Sequence, residues 1–265
     1  MTDHSGKHPK GSHNAGAAMN QKELANILSG FERLRCLNAN WRGKDYFVGD
    51  IGGQYTGLKR ALHKTQFDPR RDRLFCTGNL IDPGTESPKV LTLLEQPWFF
   101  TVLGVHELMM LDALKRGHYL HWYMAGGQWA FNQDLTLARD LTDAIPLLHS
   151  LPIAFLIEQR KYPPIGLISK SPPQDFTKEG LASASLMQLL DCLIKTDVPN
   201  KKRCNYHQLD AVILGGEPAR KSWAKGNIAG INLGASFLPQ RGSLVLFKRK
   251  KVRKTIDHQV SFQSL

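Results

Sequence analysis

Between residues 45 and 118 the chain alternates a short apolar run with an amphipathic one three times. "YFVGD" (46–50), "RLFCTGN" (73–79) and "WFFTVLGVHE" (98–107) are strand-length runs, each with glycine and a polar or charged residue at its end. "GLKRALHKTQF" (57–67), "SPKVLTLLEQ" (87–96) and "LMMLDALKRGH" (108–118) follow them at helical spacing, the second with proline early in the helix. A further helix is expected over about 20–40, where Leu24, Ile27, Leu28, Phe31 and Leu34 share one face. Strand, loop and helix repeated in this way predict a largely parallel sheet flanked by helices, with working residues at the carboxyl ends of strands.

Past a linking region at about 117–150, the pattern changes. "PIAFLIEQ" (152–159), "PIGLISKS" (164–171), "DAVILGGEP" (210–218), "IAGINLGA" (228–235) and "SLVLFKRK" (243–250) read as short strands, interrupted by one helix, "LASASLMQLLDCLIKT" (181–196). No flexible linker divides the interior. One α/β domain over 21–247, built from two mixed β-sheets packed as a sandwich with flanking helices, is expected between a disordered arm (1–20) and a basic tail (248–265).

Charge adds a second feature. The formal net charge is +12, concentrated at 59–73, in "KKR" (201–203) and in "KRKKVRK" (248–254). The last cluster, with Lys248, Arg249, Lys250, Lys251, Arg253 and Lys254, is either a solvated tail or an anion-binding segment for nucleic acid or another polyanion. Aromatic residues do not interleave with the basic clusters in sequence, so no base-stacking surface is expected. The arm carries His4, His8 and His13, read as part of a polar leader rather than a metal-binding tail. Cys36, Cys76, Cys192 and Cys204 form no CxxC pair, and no apolar run is long enough for a membrane span. With no secretory leader expected, reduced thiols and a cytoplasmic location are the simplest reading.

The three strand ends read "GDIGG" (49–53), "GNLIDPG" (78–84) and "GVHE" (104–107). In this order they resemble the phosphoprotein phosphatase family of calcineurin-like metallophosphoesterases, whose motifs are GDxHG, GDxVDRG and GNHE. The bacterial and phage serine/threonine phosphatases are the most similar group. "WYMAGGQW" (122–129), "LPIAFLIEQRKYPPIGLISKSPP" (151–173), "LDAVILGGEPARK" (209–221) and "NIAGINLGASFLPQRGSLVLF" (227–247) extend the resemblance over about 45–247. It implies a two-sheet fold around two divalent metals, commonly manganese or iron, that activate a bridging water for phosphoester hydrolysis.

Carried over position by position, the resemblance implies a depleted site. Asp50 stands at a metal-ligand position and is kept. Asn79 replaces the bridging aspartate. Gly52, Val105, Ser169 and Gly216 stand where ligands are expected, and Pro83 replaces a phosphate-binding arginine. Asp82 and His106, the general-acid pair, are kept, as is Glu107. Two carboxylates facing each other without metal would repel, and Asn79 removes one of the charges. Lys170, next to Ser169, is expected to point away from the site, because neighbouring residues in a strand face opposite sides.

The leading expectation is a catalytically inactive phosphatase-like protein that binds a protein partner, phosphorylated in one version, with no cofactor. The alternatives are a residual manganese- or iron-dependent phosphoesterase and a nucleic-acid-binding protein on the same fold.

Overall fold

The computed structural model describes residues 20–131, 141–196, 206–235 and 243–262. The arm, apart from Asn20, the "KKR" cluster, Cys204 and the last three residues of the tail lie outside the described residues.

Asn20 caps α1 (Gln21–Ile27) through its side chain, which accepts from the Lys22 N–H. A 3-10 turn (Leu28–Gly30) then ends the helix well short of residue 40. Residues Leu34–Leu37 form β1 instead, in parallel register with β5 (Ala154–Ile157). Helical spacing fails here because a strand 120 residues away supplies the backbone partners: Leu34 pairs with Ala154 and Leu37 with Ile157.

The three expected strand–helix units follow. They are β2 (Asp45–Val48) with α2 (Tyr55–Lys64), β3 (Arg73–Cys76) with α3 (Ser87–Leu91), and β4 (Phe99–Thr101) with α4 (Val105–Arg116). Helix α4 ends on Gly117 at φ 75°, with Lys115 and Arg116 in its last turn. The linking region holds α5 (Tyr119–Met124) and α6 (Ala144–His149). The second half adds β6 (Ile165–Ile168), α7 (Lys178–Ser183), α8 (Leu186–Ile194), β7 (Ala211–Leu214), β8 (Trp223–Lys225), β9 (Ile228–Gly230) and β10 (Phe247–Lys248). The helix expected over 181–196 is thus two, broken at Ala184, and Ser185 caps α8.

Two mixed sheets result, ordered β1-β5-β6-β7-β9-β8 and β10-β2-β3-β4. Side-chain alternation assigns each strand residue to one of two cores. Phe47, Phe75 and Phe247 face Phe155, Leu167 and Ile213 between the sheets, and Phe75 meets Phe155 edge to face at 6.0 Å. Their strand neighbours Tyr46, Val48, Leu74 and Cys76 turn the other way, into the helix-covered core.

The segment expected as a basic tail is folded over 248–262. Lys248 closes β10, which pairs antiparallel with β2. Arg249–Phe262 form α9, whose Val252 and Ile256 are buried in the inter-sheet core. The charge run hid this stripe because only every fourth residue is apolar.

Candidate functional site at the carboxyl ends of the strands

Asp50 lies two residues beyond β2 and Asn79 three beyond β3. His106 is in the first turn of α4, after β4. Ser169 and Lys170 follow β6, Gly215 and Gly216 follow β7, and Asn232 follows β9. Residues that leave neighbouring parallel strands meet at their carboxyl ends, the usual location for a site in such sheets.

Asp50 is buried and both of its carboxylate oxygens accept hydrogen bonds. Oδ1 accepts from Thr77 Oγ1 at 3.2 Å. Oδ2 accepts from Asn79 Nδ2 at 3.0 Å, from Asn232 Nδ2 at 2.9 Å and from the Lys170 ammonium at 2.9 Å. Three donors thus crowd Oδ2, while Oδ1 has one. Gly215 is required by close approach, because a Cβ there would collide with Asp50 Oδ1.

Lys170 therefore does not point away. Strand β6 ends at Ile168, so alternation no longer applies two residues later. The Lys170 and Ser171 N–H groups both donate to Cys192 O. This turns the chain and brings the Lys170 side chain to Asp50, where its ammonium also donates to Gly216 O at 2.9 Å. The lysine is largely buried, and its ion pair with Asp50 is among the most enclosed in the molecule.

Asn79 faces two ways. Its amide nitrogen donates to Asp50, and its amide oxygen accepts from the His106 N–H at 3.3 Å. An aspartate here would set two carboxylates against each other at this distance. Asn79 also sits at φ 49° and Asp82 at φ 58°, the left-handed region that Asn and Asp tolerate best among side-chain-bearing residues.

The Asp82–His106 pair is present, with Nδ1 and Oδ2 3.0 Å apart. Trp122 Nε1 donates to Asp82 Oδ2 at 3.0 Å and Trp129 Nε1 to Oδ1 at 2.5 Å. Glu107 has a different task. Its buried carboxylate accepts from the N–H groups of Asn79, Leu80 and Gly104 at 2.7–3.0 Å, and from Ile81 at 3.3 Å, tying the second loop to α4. Burial pushes the Glu107 carboxyl above its usual range, opposed by His106 and by the N–H groups of Ile81 and Leu80.

The remaining expected positions carry backbone or packing roles. The Gly52 N–H donates to Asn79 O, Gly216 O receives Lys170, and Val105 packs against the helix-covered core. Pro83 lies against Gly126. Ser169 Oγ is buried without a hydrogen-bond partner in the protein. The donor set does not fit a pair of divalent cations: an ammonium and two amide N–H donors are held at Asp50 Oδ2, and Gly52, Val105 and Gly216 offer no side-chain ligand. Among the described residues no three His, Cys, Asp or Glu side chains are grouped to hold a metal. Trp122 and Trp129 bound "WYMAGGQW", a stretch with a family resemblance in sequence, but their bonds to Asp82 come from the structure; Thr77 and Asn232 are singled out by no motif, their one sequence signal being a polar residue next to glycine or an apolar strand end, in "FCTGN" and "AGINLG".

The six basic residues of 248–254 lie elsewhere. Arg249 is paired with Asp210, directly before β7, and Lys248 lies over Tyr46 near the start of β2. Both are at the amino ends of those strands, opposite the Asp50 cluster. Arg253 is tied to Asp210 O and Asp257, and the Lys251 ammonium lies over the Phe247 ring. Lys250 and Lys254 are exposed. No helix among the described residues is long and apolar enough to cross a membrane.

The calcineurin-like phosphoesterase family model matches residues 46–219. Serine/threonine-protein phosphatase 2 of Escherichia coli (strain K12) is 39% identical over 120 residues, 45% of this chain and 55% of that protein. The chain spans about half the length of these curated phosphatases. Among solved structures, a putative diadenosine tetraphosphatase superposes with a TM-score of 0.59 at 17% identity, covering 82% of this chain and 98% of that one. A serine/threonine phosphatase from Saccharomyces cerevisiae gives 0.54 at 16% identity, covering 80% and 77%. With a family match over most of its folded core and the strand-end loops in family order, the chain belongs to the calcineurin-like phosphoesterase family.

Proposed function

We propose that this protein is a catalytically inactive member of its family that acts by binding a protein, with a lysine ammonium in place of catalytic cations. The observation that carries this reading is the Lys170–Asp50 contact. The carboxylate kept from the metal site is neutralised internally, and three donors, the ammonium among them, crowd its Oδ2. A nucleophilic water would have nothing to activate it.

The partner surface we favour lies beside the old site. Helix α5 sends Trp122 inward to Asp82 while exposing Leu120 and Met124, with Tyr119 partly exposed. Large apolar side chains next to a rigid, hydrogen-bonded site fit a protein partner. Pro83 in place of an arginine weakens the version in which a phosphate group is recognised there. Hydrolysis of p-nitrophenyl phosphate with manganese, together with elemental analysis of the purified protein, tests the reading. No turnover and no bound metal are expected. Manganese-dependent turnover that Asp50→Ala abolishes would overturn it.

One observation favours a second reading, a residual phosphoesterase: the Asp82–His106 pair is held in place by two tryptophans at a geometry suited to proton transfer. On that reading His106→Ala removes turnover.

A further inference from the structure

At the edge opposite the Asp50 cluster lies an open cleft of about 670 Å³. Six cations line it: Lys44, Arg160, Lys161, Lys248, Arg249 and Lys250. Two carboxylates also line it, Asp45 and Glu158, and Asp45 is already held by Arg73 through two hydrogen bonds of 2.7 and 2.8 Å. These basic residues come from three separate parts of the chain, so no single run in the sequence announces the cleft.

Two aromatic residues accompany the charge. Trp41 is 73% exposed, and the Arg160 guanidinium lies over its ring at 5.0 Å. Tyr162 is 52% exposed and lies under the Arg249 guanidinium at 3.3 Å. Arg249 is anchored by two hydrogen bonds to Asp210, and Arg160 by Asn40 O. Each ring therefore has one face against a fixed guanidinium group, while Trp41 keeps most of its surface in water and Tyr162 about half. The positive surface continues toward α2: burial and the neighbouring Lys64 push the Lys251 ammonium below the usual lysine range.

We propose that this cleft binds single-stranded nucleic acid, with phosphates on Lys44, Lys161, Lys248 and Lys250 and bases stacked on Trp41 and Tyr162. A positively charged groove with rigid aromatic platforms meets what a single strand presents, a charged backbone and unpaired π faces. A duplex offers no free base face to these rings. The inference is independent of the reading of the Asp50 site, which lies at the other ends of the strands.

Fluorescence anisotropy of a labelled single-stranded oligothymidylate, titrated with the full chain across a range of salt concentrations, tests it. Binding at low salt is expected, with log K falling against log salt with a slope of roughly −2 to −3 for three or four phosphate contacts. Lys161→Glu combined with Lys250→Glu should weaken binding at least tenfold and flatten that slope. Trp41→Ala should weaken it about tenfold without changing the slope, and Trp41→Phe should retain most of the affinity. These substitutions are on exposed side chains, and thermal melts check that each variant is folded. Absence of binding at low salt, equal affinity for duplex of the same length, or full affinity in Trp41→Ala would each overturn the proposal. The last result would identify a general polyanion surface.

Discussion

The Lys170 ammonium lies 2.9 Å from Asp50 Oδ2 and 2.9 Å from the Gly216 carbonyl oxygen. One flexible side chain thus bridges two loops whose counterparts, on the resemblance to metal-dependent phosphatases, would be joined through cations. The contact also accounts for Asn79 and Asn232, because a buried carboxylate with one lysine partner still needs donors for its other lone pairs.

Removal of the ammonium leaves Asp50 charged and buried. Lys170→Met is expected to destabilise the protein by about 3–5 kcal/mol, the usual effect of breaking an enclosed ion pair. Asp50→Asn in the same chain should recover a substantial part of the loss. A double-mutant cycle measured by urea denaturation checks this: a coupling energy near zero would show that the contact contributes nothing.

Asn79→Asp places a second carboxylate against Asp50 in a site built for donors. It is expected to lower stability at neutral pH by roughly 1–3 kcal/mol, with the loss shrinking as the pH falls and one of the pair takes up a proton. Thermal melts across pH, with and without manganese, read the effect. Strong stabilisation of this variant by manganese would mean that the scaffold still accepts a cation once the charge is restored.

Helix α9 is part of the fold, so its apolar stripe should carry stability. Ile256→Ala is expected to cost about 2–5 kcal/mol, in the range for truncating a buried isoleucine. Lys254→Ala, on an exposed residue of the same helix, should change stability by no more than about 0.5 kcal/mol. Urea midpoints of the two variants separate a packed helix from a solvated tail.

His149 gives a pH dependence. Its Nε2 is buried without a protein partner, the ring lies 5.2 Å from Phe31, and burial, with a smaller contribution from Lys115, lowers its pKa below the ordinary 6.5. The unfolded chain therefore binds more protons than the native one in the window just below 6.5. The stability this histidine contributes is complete above that pH and is lost as the pH falls toward its lowered folded value. His149→Phe should flatten the dependence of melting temperature on pH between about 5 and 7, against the background of other titrating groups.

The three strand ends and their glycines were legible because their function is local. A strand that stops, a turn that needs glycine and an amphipathic helix leave a pattern within about twenty residues, and "GDIGG", "GNLIDPG" and "GVHE" each do so. Gly52, Asn79, Val105 and Gly216 stand out for the same reason: each is one residue in a recognisable frame. β1 was not legible, since its partner β5 lies far along the chain and helical spacing outweighs it locally.

Lys170 marks the limit most clearly. Strand alternation turns it away from the site, yet β6 ends two residues earlier and hydrogen bonds to Cys192 O redirect the chain. The basic cleft carries the same lesson: Trp41, Arg160 and Lys250 are scattered in sequence and converge only because β1, β5 and β10 bring their ends to one edge. Residue type and local spacing were enough to determine the family and the three central strand–helix units. Tertiary structure decided what filled the space and which charges face each other, because those contacts depend on where a turn aims a long, flexible side chain across the molecule.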